Sequence, residues 1–136
     1  MRTFILITTF LLLLCACKGK EYRMILGKWE VEEYWVSGRQ YPSDRYIEFR
    51  GDGTYISVGE EQSEVKGEYR IRNDKLILSQ PEITDMHGKR VVEPFSRTWY
   101  MSLSPEWLIM EGTAESNTQD MKLILHKEIG SENADN

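Results

Sequence analysis

The chain has 136 residues, enough for one domain, and a net charge of −5 from well-mixed acidic and basic residues. No basic stripe is offered to phosphate, which argues against nucleic acid as a partner. Two cysteines and two histidines are too few for a disulfide framework or a thiolate metal site, so the core must rest on packing, for which four Trp, seven Tyr and four Phe are available.

Arg2 precedes an apolar run from Phe4 that ends in Leu14, Cys15, Ala16 and Cys17. A basic start, a short apolar middle and a small residue before a cysteine have the anatomy of an export signal. The run is shorter than the roughly 20 residues of a comfortable membrane span. Leu14-Cys15-Ala16-Cys17 resembles the lipobox of bacterial lipoproteins. The resemblance implies that residues 1–16 are a signal peptide cut after Ala16. It also implies that the Cys17 thiol takes a diacylglycerol and that the new amine receives a further acyl chain of the palmitate type. Cys15 is the poorer acceptor, because bulky Leu14 would stand where cleavage requires a small residue. Lys18 stands in place of the aspartate that in similar lipoproteins signals inner-membrane retention. An envelope protein anchored in the outer membrane is expected, on its periplasmic or its surface face. Each buried acyl methylene adds about 0.8 kcal/mol of membrane affinity, so three chains would hold firmly. Residues 17–21 read as the lipidated cysteine and a tether.

Glu21–Leu26 predicts a turn or two of helix, ended by Gly27. Strand patterns follow. Lys28–Val36 is rich in β-branched and aromatic residues, with Trp29, Val31, Glu33 and Trp35 in one phase. Arg45–Arg50 alternates through Ile47 and Phe49, and Gly51-Asp52-Gly53 turns it into Thr54–Val58. Val65–Arg72 places Val65, Gly67, Tyr69 and Ile71 on one face, and Asn73-Asp74 returns the chain into Lys75–Ser79. Residues 80–95 form the one long connection, with Arg90-Val91-Val92 as a short extra strand. Ser96–Leu103, Glu106–Glu111 and Asp120–Glu128 complete the series, and residues 130–136 are a polar, flexible tail.

Eight strands joined mostly by short turns cannot pair in parallel, which needs crossovers of a dozen or more residues. The expected fold is all-β, an antiparallel eight-stranded up-and-down barrel over residues 22–129 with a short N-terminal helix. A two-sheet sandwich is the alternative, and only residues 80–95 are long enough for its Greek-key connection.

Gly27-Lys28-Trp29 at the start of this series resembles the Gly-x-Trp signature of lipocalins. Together with Phe49-Arg50-Gly51-Asp52-Gly53 and Gly67-Glu68-Tyr69, it is similar to short lipocalin-like lipoproteins of Gram-negative bacteria. The resemblance implies that Trp29 sits at the closed end of the barrel, covered by a basic residue for which Lys122, Lys127 and Arg97 are candidates. The Thr-Asp-Tyr motif of larger lipocalins is absent, and the short chain leaves small loops around any mouth.

His87 and His126 lack the spacing of a metal site, and Asp52 lacks the alternating oxygen ligands of a calcium loop, so it reads as a turn residue. The serines stand in turns without a matching base, and no glycine-rich loop opens a helix. Neither catalysis, nor a metal, nor a cofactor beyond the Cys17 lipid is expected. Glu30 and Glu32 fall on the polar face. Glu33, in phase with the inward tryptophans, is a candidate for orienting a ligand unless the strand bulges there and exposes it. Candidate ligand-binding residues are therefore Trp29, Glu33, Trp35, Phe49, Tyr69 and Trp99. Either they fill the narrow interior, which eight strands favour, or some line a pocket for one small hydrophobic molecule, opening at the end away from Trp29. A barrel without a cavity would instead serve as a protein-interaction or inhibitor module in the envelope, with residues 80–95 as its contact surface.

Overall fold

The computed structural model describes residues 19–59, 64–80, 83–84, 86–92 and 94–129. The expected signal peptide, Cys17 and the 130–136 tail lie outside the described residues. A helix over residues 19–25 comes first, so that residues 19–21, expected as tether, are its first turn. Eleven strands follow: β1 Gly27–Val36, β2 Arg39–Tyr41, β3 Tyr46–Phe49, β4 Thr54–Val58, β5 Glu64–Arg72, β6 Lys75–Gln80, β7 Ile83–Thr84, β8 Arg90–Val92, β9 Phe95–Leu103, β10 Trp107–Gly112 and β11 Met121–Lys127.

Eight of them pair antiparallel in the order β1-β3-β4-β5-β6-β9-β10-β11, and β11 pairs back with β1 to close an up-and-down barrel. Closure leaves none of these eight strands as a free barrel edge, the solution expected for eight short-linked strands with one apolar face. β2 folds back on the upper part of β1, and β7 and β8 make a separate hairpin inside the long connection, where the extra strand was expected. Among the described residues every barrel pairing joins strands between Gly27 and Lys127, and the helix over residues 19–25 packs Ile25 into the core they enclose.

Local chemistry sets the turns. In the β3–β4 turn the Thr54 N–H and hydroxyl both donate to Asp52 Oδ1, at 3.0 and 2.5 Å, and Gly53 takes a φ of 86°. The Thr54 hydroxyl, then its N–H, hold the Asp52 carboxyl below the usual carboxylate range. Asp52 is thus a turn residue, as its sequence context suggests.

One irregularity changes the reading of β1. Val31 opposes Leu125 on β11, but Glu33 opposes Ile124, so Glu32 is an extra residue in a β-bulge. A one-residue slip sends every later side chain to the other face. Trp29 and Val31 point into the barrel, but above the bulge it is Tyr34 that packs against the core. Glu33 and Trp35, expected inward with Trp29, face outward.

The lower half of the barrel is solid. Trp29, Phe49, Leu76, Leu108 and Leu125 are fully buried, and Ile25 of the helix is buried with them. The Trp29 indole N–H donates to the Ile25 carbonyl at 2.8 Å, which satisfies a polar group that burial would otherwise strand. Lys127 Nζ lies 5.4 Å from the Trp29 ring centroid and donates to the Met24 carbonyl at 3.1 Å. Lys127, rather than Lys122 or Arg97, is therefore the basic residue over this tryptophan. On the other side Tyr22 donates to the Ile71 carbonyl and accepts from the Ile71 N–H, at 3.3 and 2.8 Å. The helix is clamped across the base as a plug. Phe49 meets Tyr69 edge to face at 5.0 Å, and the Tyr69 hydroxyl donates to the Arg50 carbonyl at 2.8 Å.

Trimming this plug is expected to be costly. Trp29→Ala should lower the unfolding free energy by about 3–5 kcal/mol in a denaturant titration, the range for large-to-small aromatic changes in cores. Trp107, 38% exposed and in edge contact with His126, serves as the comparison. Trp107→Ala should cost about 1 kcal/mol or less, since it opens no core cavity.

Candidate functional site

Above the plug the interior opens into a cavity of about 190 Å3. Its walls come from every part of the barrel. Val31 and Tyr34 enter from β1, the latter only because of the bulge, and Ile47, Tyr55 and Ser57 enter from β3 and β4. Val65 and Leu78 face them from β5 and β6, with Phe95, Arg97 and Trp99 on β9. Met110, Met121 and Leu123 close the circle, and Arg45 stands just before β3. These positions lie toward the ends of the strands remote from the helix, so the cavity and the plug divide the barrel between them. An interior filled throughout is therefore not what forms: the base is filled and the mouth is open.

Gly67 helps to shape the wall. It opposes Tyr55 in the β4–β5 register, and a Cβ there would run into the Ser79 carbonyl and the Tyr55 ring. Only a residue without a side chain lets the Tyr55 ring lie over β5. This gives the Gly67-Glu68-Tyr69 motif a physical reason.

The lining is mainly apolar, and its polar groups are few. Among the described residues the only charged ones are the Arg45 and Arg97 guanidiniums, and none of the described lining residues is a carboxylate. Arg97 lies 5.2 Å from the Phe95 ring centroid, stacked on a residue that is itself part of the wall. Burial pushes the Tyr55 phenol up from its ordinary value, against a smaller opposing pull from Arg97. Tyr55 is accordingly a neutral hydroxyl at physiological pH. Trp99, 4% exposed, carries a buried indole N–H with no acceptor among the described residues.

Of the candidate ligand-binding residues read from sequence, only Trp99 lines this cavity. Trp29, Phe49 and Tyr69 are buried in the core cluster outside its lining. Glu33 and Trp35 lie on the outer wall, beside Lys122 and Ile124 in a shallow surface groove. The sequence reading missed Tyr34, Tyr55, Arg45 and Arg97. Two of these had a signal: Arg45 is in phase with Ile47 and Phe49, and Arg97 with Trp99 and Met101. An arginine in the inward phase at the mouth end of a strand was there to be read. Tyr34 had no such signal, because the bulge that turns it inward leaves no mark in the alternation. Among the described residues no three His, Cys, Asp or Glu side chains gather as a metal would require.

No family model matches the chain, and no curated protein matches it either. Among solved structures it is similar to a lipocalin-like protein from Bacteroides uniformis, with a TM-score of 0.58 and 16% identity over 77% of this chain and 99% of that one. An uncharacterized protein from Bacteroides eggerthii superposes almost as well, with a TM-score of 0.57 and 14% identity over 76% of this chain and 99% of that one. The fold is lipocalin-like.

The role of Gly67 can be checked by substitution. Gly67→Ala should destabilise the barrel by about 1–3 kcal/mol, the range for overpacking. It should also shift the side-chain resonances of Tyr55, because ring and backbone must separate to admit the methyl group.

Proposed function

We propose that this chain is a lipid-anchored envelope protein whose barrel binds one small hydrophobic molecule through its open mouth. The observation that carries the reading is the mainly apolar cavity of about 190 Å3 above a solid base. A barrel solid from end to end would favour an interaction module, and the cavity supports binding instead. The lipocalin-like fold of the Bacteroides uniformis neighbour is consistent with this use.

Size limits the affinity. Apolar burial contributes about 25 cal/mol per Å2, so a ligand covering roughly 200 Å2 gains about 5 kcal/mol before the costs of association. Micromolar binding would need about 8.2 kcal/mol, so sub-millimolar affinity from apolar burial is expected.

The lipobox resemblance supports an anchor at Cys17, with an outer-membrane address from Lys18. The helix that begins at residue 19 belongs to the plugged base. A lipid on Cys17 would therefore attach near the closed end, and the mouth would point away from the bilayer. On this reading the protein needs no cofactor beyond the lipid and carries out no reaction. It holds a molecule and releases it.

Two measurements test the proposal. Titration of the full chain with an environment-sensitive apolar fluorophore should give saturable binding, weakened several-fold by Tyr34→Ala but not by Trp35→Ala on the outer wall. Lack of saturation by a folded protein would reject the binding reading. For the anchor, Cys17→Ala should abolish metabolic lipid labelling while Cys15→Ala preserves it; the reverse pattern would reject Cys17.

A further inference from the structure

We propose that the cavity selects an anionic amphiphile, a carboxylate-headed molecule with a single ring or a short chain of about eight carbons. This rests on the binding reading above and specifies the chemistry of the ligand. In a chain of net charge −5, the only charges lining the cavity among the described residues are two cations, Arg45 and Arg97. Both arginines are exposed at the rim, where an uncharged head group would gain no charge-assisted bond from them and a cationic one would meet repulsion. A carboxylate instead matches the guanidinium fork and makes the strong, charge-assisted class of hydrogen bond.

A second observation points the same way. Buried donors are almost always paired, yet the Trp99 indole N–H, on a residue only 4% exposed, has no acceptor among the described residues. Tyr55 and Ser57 add hydroxyl groups to the same lining, and Tyr55 stays protonated at neutral pH because burial disfavours its anion. The described lining is thus rich in donors, and none of its described residues is an anion. What it lacks is an acceptor, and a carboxylate brings two oxygens.

Size follows from volume. A cavity of about 150 Å3 takes a benzene ring, so one of about 190 Å3 has room for a ring or for a folded chain of about eight carbons. Longer chains would have to protrude from the mouth.

The test compares three probes with the same tail and different heads: octanoate, 1-octanol and octylamine. Each is titrated calorimetrically into the full chain, and the indole N–H resonance of Trp99 is followed in parallel. Octanoate should bind at least tenfold more tightly than octanol, with octylamine weakest, and it should move the Trp99 indole signal. Arg45→Gln and Arg97→Gln should each cut the octanoate-to-octanol affinity ratio by about tenfold or more, the value of one charge-assisted hydrogen bond. If octanol binds as well as octanoate, or the double variant keeps the preference, the anion selectivity is wrong while the apolar pocket stands. If none of the three binds a folded protein at millimolar concentration, both readings fall.

Discussion

The bulge at Glu32 is the constraint on which the interior depends. β1 must cross the whole barrel, pairing with β3 at its lower end and with β11 along most of its length. With strict alternation, Glu33 would enter the barrel as a carboxylate without a partner, and Trp35 would crowd the mouth. The extra residue exchanges that pair for Tyr34, which closes one wall while Glu33 and Trp35 turn outward. A bulge also tightens local twist, which suits a strand bent around a small barrel. The price of the exchange is one unpaired residue in the ladder, and Glu32 stands exposed to water, where its backbone groups can be solvated.

Below the bulge the structure behaves as an ordinary close-packed core. The helix contributes Ile25 as apolar fill, and its last carbonyls are met by the Trp29 indole and the Lys127 ammonium. Capping, packing and the cation over the ring therefore converge on one residue, Trp29. Because these contacts seal one end, the barrel can leave its other end under-filled without losing the core. The filled base and the open cavity are separated along the barrel axis, with Trp29, Phe49 and Tyr69 in the first and outside the lining of the second.

At the mouth the same alternation that buries Ile47 and Trp99 carries Arg45 and Arg97 to the rim. Long basic side chains are suited to that boundary, since their stems can cover apolar surface while their heads reach water or a ligand. Phe95 supplies such a surface to Arg97. A donor-rich rim over an apolar chamber is a polarity gradient, and on the proposed binding reading it would orient a ligand with its polar end outward.

Much of this protein was determined by its sequence alone. Short turns, clean alternation in Val65–Arg72 and Asp120–Glu128, and the Gly51-Asp52-Gly53 turn dictated antiparallel strands, because these are local consequences of backbone freedom and side-chain period. Gly27-Lys28-Trp29 at the first strand marked the closed end, and inward residues such as Phe49, Tyr69 and Trp99 were legible from phase. Tertiary structure decided the rest. The bulge answers to β11, ninety residues away in sequence, and only that pairing tells which of Trp35 and Tyr34 faces in. Whether aromatic residues fill or line an interior depends on how eight strands close, since volume belongs to the barrel and to no single strand. The covering of Trp29 by Lys127, and the gathering of Arg45 and Arg97 around one chamber, likewise needed distant strands to meet. Local pattern settles which face is apolar; only closure settles what that face encloses.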